Sequence, residues 1–221
     1  MEFPLICVLS MLSTVLAFPP FAGYYFQGDS ESRLQQCSSA SKPCKILVKQ
    51  VSNQVSDHRI FTSPNICNCA GGTCPLEWDE MPENTITRYL RSKDRFLSLQ
   101  MKFCSPVAPQ RMCRGNETAL VVKGHSLVPS EIVEFNCRCF GNHPLIISKA
   151  WYQGYNERYQ EYVCELPRCP TVDSQCMSVS NQPPRVRETV FECDCGRSRS
   201  CKADHGRRTA LEESKGYCSL Y

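Results

Sequence analysis

Apolar and polar residues alternate along three stretches of the chain, and each stretch leads into a cysteine. Residues 97–103 alternate Leu, Leu, Met and Phe with Ser, Gln and Lys, while residues 133–139 and 189–195 alternate up to and through a Cys-x-Cys pair. Residues 118–123 form a fourth run with β-strand composition. Because successive side chains of a strand point to opposite faces, these patterns predict β-strands with one buried face. The only candidate helix covers residues 83–92, so the sequence predicts an all-β, small disulfide-rich fold with little helix.

The N-terminus carries the one strongly apolar segment of the chain. Residues 1–17 read MEFPLICVLSMLSTVLA, with the compact residues Val15 and Ala17 at the −3 and −1 positions of a cleavage site. This arrangement is typical of a secretory signal peptide, although Glu2 stands where a basic residue is usual. We expect cleavage after Ala17. Residues 18–36 then form a polar N-terminal segment, which is either a propeptide or part of the mature chain.

The cysteine count indicates the redox compartment. The chain has 17 cysteines, and removal of the signal peptide takes Cys7 away and leaves an even number. An even count in an exported chain predicts complete disulfide pairing in a secreted, extracellular protein. The Cys-x-Cys pairs also fit zinc-ligand spacings, but an oxidising compartment favours disulfides, and we expect no metal. The triplet Asn116-Glu117-Thr118 fits the N-glycosylation acceptor pattern, and its use stays open.

The order of the cysteines contains an internal repeat. Two copies carry a Cys-x6-Cys pair, a Cys-x-Cys pair and two further cysteines, and a reduced copy between them lacks two members. This repeat predicts cysteine module 1 at residues 37–104, module 2 at residues 105–164 and module 3 at residues 165–221. The sequence leaves the connectivity open, including bonds between modules. The predicted disulfide cysteines are Cys37, Cys44, Cys67, Cys69, Cys74, Cys104, Cys113, Cys137, Cys139, Cys164, Cys169, Cys176, Cys193, Cys195, Cys201 and Cys218.

The Cys-x-Cys element has a geometric consequence. On an extended strand its two cysteines point to the same face about 6.6 Å apart, at the outer limit of disulfide geometry. We therefore expect each of the two cysteines to bond elsewhere, so that one strand is tied to two other pieces of chain. Modules of about 50 to 70 residues bury little apolar surface, and disulfides should dominate their stability.

Charge and motifs exclude several function classes. Lys and Arg total 25 against 22 for Asp and Glu, a balance that does not favour nucleic acid as a partner. No later run approaches the about 20 apolar residues of a membrane span, so we expect no membrane insertion. Motifs of the H-E-x-x-H and G-x-S-x-G kinds are absent from the sequence, and we expect no enzyme, no catalytic residue and no cofactor. These observations predict a monomer that acts by binding an extracellular protein.

The cysteine framework resembles that of an arthropod group, the family-eleven scoloptoxins of centipede venom, which share it with Argos (giant-lens) proteins. The resemblance covers roughly residue 37 to the C-terminus. The matching elements are Cys104-Ser-Pro-Val, Arg111-Met-Cys113, Phe135-Asn-Cys137-Arg-Cys139, Tyr162-Val-Cys164, Arg168-Cys169, Cys193-x-Cys195 and Gly216-Tyr217-Cys218.

The resemblance implies two functions. The venom members imply a secreted neurotoxin that modifies an ion channel, and the compact loops of this chain favour that branch. The Argos proteins imply an extracellular antagonist that sequesters an EGF-like growth factor. A structural secreted protein with the same framework is the third alternative.

Three groups of residues are candidates for target binding. A basic cluster is expected to meet an acidic channel vestibule, or else to be an ordinary solvated loop; it consists of Arg197, Arg199, Lys202, Arg207 and Arg208. A second basic run, residues 88–95, is expected in a long loop of module 1. An aromatic patch is expected to anchor a partner, or else to pack across strands; it consists of Trp151, Tyr152, Tyr155, Tyr159 and Tyr162.

Overall fold

The computed structural model describes residues 34–51, 59–92, 95–125, 129–154, 157–182, 185–196, 199–203 and 212–220. The predicted signal peptide lies outside these ranges, as does most of the polar segment 18–36. The all-β prediction is confirmed, because the regular elements of the described residues are strands and two short 3-10 turns, Pro82–Asn84 and Phe140–Asn142. The strands are β1 Lys45–Val51, β2 Arg59–Thr62, β3 Thr85–Ser92, β4 Arg95–Lys102, β5 Leu120–Gly124, β6 Pro129–Phe135, β7 Ile146–Gln153, β8 Glu157–Val163, β9 Gln175–Gln182, β10 Arg185–Phe191, β11 Arg199–Ala203 and β12 Glu212–Leu220.

The twelve strands repeat one antiparallel topology three times. In each module the first strand pairs with the second and the fourth, and the third pairs with the fourth, which gives the order second, first, fourth, third. Module 1 forms the separate sheet β2-β1-β4-β3. Modules 2 and 3 share an eight-stranded sheet, because residues 149–151 of β7 pair with residues 188–190 of β10, with Trp151 opposite Glu188.

The disulfides repeat in the same way. All sixteen cysteines after residue 17 are paired, and every bond closes within one predicted module. Modules 1 and 3 bond first to third, second to fifth and fourth to sixth cysteine, and module 2 has the first and last of these bonds. The pairs are Cys37–Cys67, Cys44–Cys74, Cys69–Cys104, Cys113–Cys137, Cys139–Cys164, Cys169–Cys193, Cys176–Cys201 and Cys195–Cys218. The two cysteines of each Cys-x-Cys element bond elsewhere, which confirms the geometric prediction.

The middle residue of each Cys-x-Cys element anchors the start of its module. In all three modules the peptide N–H of the first cysteine donates to the carbonyl oxygen of that middle residue. The bonds are Cys37 to Asn68 at 2.8 Å, Cys113 to Arg138 at 3.0 Å and Cys169 to Asp194 at 3.0 Å. The same local frame is therefore built three times.

Module 2 has an alanine where the other modules have their second cysteine. The carbonyl oxygen of the second cysteine accepts a bond from the residue before the third cysteine, at 2.8 Å in module 1 and 2.9 Å in module 3. In module 2 the equivalent bond runs from Asn136 to Ala119 at 2.8 Å. Ala119 is fully buried. In module 2 the packing of Ala119 in the core therefore replaces the disulfide that the second cysteine makes in modules 1 and 3.

Modules 1 and 2 share one hydrophobic core, whereas the buried cluster of module 3 consists of its own cysteines. The shared core joins Ile46, Ile86, Leu99, Met101 and Phe103 of module 1 to Ala119, Leu120, Val122, Cys137, Cys139, Leu145 and Tyr162 of module 2. Sheet pairing and core packing thus both cross between modules. The domain boundaries at residues 104 and 164 stay predictions.

Residues 83–92 are not a helix, and that expectation is wrong. Pro82–Asn84 makes a single 3-10 turn, and β3 follows from Thr85. The β-branched Thr85, Ile86 and Thr87 suit a strand, and pairing along the whole of β4 fixes it. The expectation of a basic loop at residues 88–95 is also wrong, because Arg88 lies on β3 and is fully buried.

Two details of the predicted strands differ from the alternating pattern. The polar face of β4 is buried like its apolar face, because the segment before β3 covers it. Gln100 donates to Asp79 at 2.6 Å, and Lys102 donates to the carbonyl oxygen of Glu80 at 2.9 Å. In β6 a register shift leaves Val133 44% exposed and packs Ile132 against the core. The alternation in residues 133–139 places Val133 on the buried face, and the bulge explains why Ile132 packs there instead.

Candidate interaction surface

The basic cluster is described only in part. Arg199 and Lys202 lie on β11, an outer strand of the eight-stranded sheet, and Lys202 is exposed. The ammonium group of Lys202 donates to the carbonyl oxygen of Leu220 at 3.1 Å. The remaining members, Arg197, Arg207 and Arg208, lie outside the described residues. The cluster as a whole is therefore still a prediction.

The aromatic patch divides between two faces of the sheet. Trp151 on β7 and Tyr159 on β8 lie opposite each other and stack, with ring centroids 5.5 Å apart and planes inclined by 13°. Tyr162 points to the other face and is fully buried in the core. Tyr155 lies outside the described residues. The structure thus contains cross-strand packing, and Trp151 and Tyr159 are both half-buried.

A single row of cross-strand neighbours contains this pair. Glu188, Trp151, Tyr159, Lys123 and Glu131 occupy directly opposed positions on β10, β7, β8, β5 and β6. Directly opposed residues of antiparallel strands share a face, so all five side chains emerge on the same side of the sheet. The row spans modules 2 and 3.

A lysine lies over each ring of the pair. The ammonium nitrogen of Lys149 lies 5.5 Å from the Trp151 ring centroid, and that of Lys123 lies 5.9 Å from the Tyr159 centroid. We call Lys149, Trp151, Tyr159 and Lys123 the aromatic ladder. Each ring of the ladder thus has a cation over it.

Each lysine of the ladder also has a carboxylate partner. Lys149 pairs with Glu188, and Lys123 pairs with Glu157 at 2.5 Å. The hydrogen bond to Glu157 raises the pKa of Lys123. Hydrogen bonds from Lys123 and then from Tyr159 hold the pKa of Glu157 below its ordinary value. The ladder is consequently a pre-ordered surface with compensated charge, which suits binding better than proton transfer.

Sequence reasoning singled out Trp151 but missed Tyr159's lysine partner, Lys123, and the pair Lys149 and Glu188. These residues come from three different strands, and only strand register places them together. No signal in the sequence alone identifies that register, because the pairing of β7 with β10 joins two modules.

The groupings of possible metal ligands in the described part of the chain consist of disulfide cysteines, with Glu117 added in one case. A disulfide sulfur is not the thiolate that metals require. Asn116 lies exposed in a turn beside Glu117, whose carboxylate accepts three hydrogen bonds from the Arg111 guanidinium. None of the helical turns in the described ranges has the length or apolarity needed to cross a bilayer.

Comparison with known proteins gives one distant structural similarity. No protein-family model matches the chain, and no curated protein sequence does. Among solved structures, the crystal structure of unliganded Argos matches over 88% of this chain and 95% of its own, with 18% sequence identity and a TM-score of 0.42.

Proposed function

We propose that this chain is an extracellular, monomeric polypeptide-binding protein without catalytic activity, and that its ligand is an EGF-like growth factor which it sequesters. The observation that carries the binding proposal is the aromatic ladder, whose half-buried rings lie on central strands of an eight-stranded sheet. The choice of ligand class is supported by the resemblance of the cysteine framework to that of Argos proteins.

The ladder has the physical properties of a binding surface. Tryptophan and tyrosine supply large contact areas at a low cost in side-chain entropy, and they dominate the energetics of many interfaces. Stacking, two cation–π contacts and two ion pairs already fix the rotamers of the ladder, so little ordering remains to be done on binding. A disulfide frame on both sides keeps the sheet rigid.

The test is calorimetric titration of the mature chain, residues 18–221, against a panel of purified EGF-like domains. We expect a one-to-one complex with at least one domain, and Trp151→Ala should weaken it by at least about tenfold, or about 1.4 kcal/mol. Tyr217→Ala removes an exposed aromatic side chain from β12 of the same sheet and is the matched control. Absence of binding to every EGF-like domain at micromolar concentration would remove this ligand class.

A venom neurotoxin that acts on an ion channel is the second candidate. The exposed Lys202, with Arg199 on the same outer strand, favours it, because rigid cations can be steered to an acidic vestibule. Neutralising Arg197, Arg199 and Lys202 together should then slow association, and the potency of the unmodified chain should fall as ionic strength rises. Electrophysiology on a channel panel decides this, with unchanged circular dichroism as the folding control.

A further inference from the structure

The residue that follows the second cysteine of the Cys-x-Cys element differs among the three modules in an informative way. It is Ala70 in module 1, Phe140 in module 2 and Gly196 in module 3. Because two copies of the frame have almost no side chain there, the fold does not require a large residue. Phe140 is 83% exposed, the highest value among the large hydrophobic side chains of the described residues. Neither the frame nor the core accounts for this phenylalanine.

The chain holds Phe140 in a fixed position. The Cys139–Cys164 disulfide ties the preceding residue, and the 3-10 turn closes with a bond from the His143 N–H to the Phe140 carbonyl oxygen at 3.3 Å. Gly141 turns the chain with a φ of +62°. Leu145 then bonds to β3 in both directions, at 2.8 and 2.9 Å. The exposed ring is thus presented on a turn that is anchored on both sides.

Two exposed arginines lie close to Phe140 along the frame, since the N–H of Cys113, next to Arg114, bonds to the Arg138 carbonyl oxygen. Arg138, two residues before Phe140 on extended chain, is exposed, and its guanidinium lies against the Met112 sulfur at 3.3 Å. Arg114 follows the first cysteine of the module and is exposed as well. Residues 111–117 and 136–143 contain a single acidic residue, Glu117, whose carboxylate bonds to Arg111 and to the Arg114 N–H. The equivalents of Arg138 are Asn68 and Asp194, so this charge also is specific to module 2.

We propose that Phe140, Arg138 and Arg114 form a docking surface for an acidic polypeptide segment that carries an apolar side chain. The ring of Phe140 packs against the apolar side chain, and the two guanidinium groups bind flanking carboxylates. Charge complementarity selects the acidic partner, since charge-assisted bonds from arginine to carboxylate are the strong contacts available here. A lysine-bearing segment is excluded by like charge. This surface is separate from the aromatic ladder and does not depend on the nature of the growth factor.

The test is a nuclear magnetic resonance titration of the labelled mature chain with three synthetic twelve-residue peptides. One peptide alternates Glu with Leu, one alternates Lys with Leu, and one alternates Glu with Ser. We expect the Glu/Leu peptide to shift the amides of residues 112–114 and 138–143, and the other two peptides to bind at least about tenfold more weakly. Raising the salt concentration should weaken the Glu/Leu complex.

Two variants make the test sharp, because each copies the residue that module 1 carries at the same place. Phe140→Ala copies Ala70, and Arg138→Asn copies Asn68, so both should fold. Each should weaken the Glu/Leu complex at least about tenfold, whereas Leu76→Ala, which removes another exposed apolar side chain, should not. Equal binding of the Glu/Leu and Lys/Leu peptides, or undiminished binding by Phe140→Ala, would overturn the proposal. The titration uses no growth-factor domain. Failure of the docking-surface proposal therefore leaves the proposed function standing, and failure of the proposed function leaves the docking-surface proposal standing.

Discussion

The guanidinium group of Arg88 donates a 2.5 Å hydrogen bond to the phenolic oxygen of Tyr162, across the junction of the first two repeats. The guanidinium carbon of Arg88 lies 5.0 Å from the Tyr162 ring centroid, and both side chains are fully buried. Tyr162 in turn donates to the Gln160 side-chain oxygen at 3.0 Å. A polar network inside an apolar core fixes one arrangement of its elements, because misaligned packing leaves buried polar groups unsatisfied. The junction is therefore a specific joint between modules 1 and 2.

Removing the Tyr162 hydroxyl should destabilise the protein. Tyr162→Phe deprives Arg88 and Gln160 of a buried partner, and we expect a loss of about 1–3 kcal/mol in the free energy of unfolding. Tyr159→Phe is the control, since its hydroxyl bonds to Glu157 on the exposed face and its loss should change stability by less than about 0.5 kcal/mol. Urea unfolding with the disulfides intact measures both. Equal effects of the two substitutions on the free energy of unfolding would contradict the claim that the buried Arg88–Tyr162 bond stabilises the junction.

The shared core makes a second prediction with a matched pair of leucines. Leu145 is buried in the core that modules 1 and 2 share, and Leu145→Ala should cost about 2–5 kcal/mol. Leu76 is 58% exposed, and Leu76→Ala should change stability by less than about 0.5 kcal/mol. Thermal unfolding without reductant compares them. A small loss for Leu145→Ala would mean that module 2 is stable without module 1.

Local pattern was sufficient for the strand character of residues 97–103 and 118–123 and for the behaviour of the Cys-x-Cys elements, because both follow from the two-residue period of extended chain. It failed for residues 83–92, where charged residues among apolar ones suggested a helix or a loop and pairing with β4 decided otherwise. It also failed for Arg88, since a buried arginine depends on a tyrosine 74 positions away. The two rings of the aromatic ladder could be predicted from the sequence, because Trp151 and Tyr159 lie in one hairpin. Lys123 and Glu188 could not, because they come from distant strands.

Asn116 should carry an N-linked glycan when the chain is secreted from eukaryotic cells. Its triplet is intact, its side chain is exposed, and it lies in a turn in which Gly115 has a φ of +59°. Peptide-N-glycosidase treatment should lower the mass of the secreted protein, and Asn116→Gln should abolish that change. Thr118→Ser keeps the acceptor pattern and should keep the glycan. A secreted chain with the bare polypeptide mass would show that the site is not used.

The pair Lys123 and Glu157 predicts a pH dependence. The lowered pKa of Glu157 means that the ion pair stabilises the fold above the ordinary glutamate pKa of about 4.3, and that this contribution is lost as the pH falls through the lower folded-state pKa. Lys123→Met should raise the Glu157 pKa toward its ordinary value. Lys149→Met, which breaks the pair with Glu188, should leave it unchanged. Carboxyl-carbon resonance titration measures the pKa, and an unmoved value in Lys123→Met would contradict the assigned cause.

The connectivity of the disulfides tests the central claim, that one frame is repeated three times and that the middle copy lacks one bond. Mass spectrometry of the unreduced mature chain is the direct measurement. Trypsin cleaves after Arg138, and an Asp-specific protease cleaves before Asp194, so the two cysteines of those Cys-x-Cys elements separate into different peptides; electron-transfer fragmentation resolves Cys67 from Cys69. The account predicts eight bonds and no free thiol. Modules 1 and 3 bond first to third, second to fifth and fourth to sixth cysteine, and the four cysteines of module 2 bond first to second and third to fourth. A bond between modules, or a bond within a Cys-x-Cys element, would contradict it.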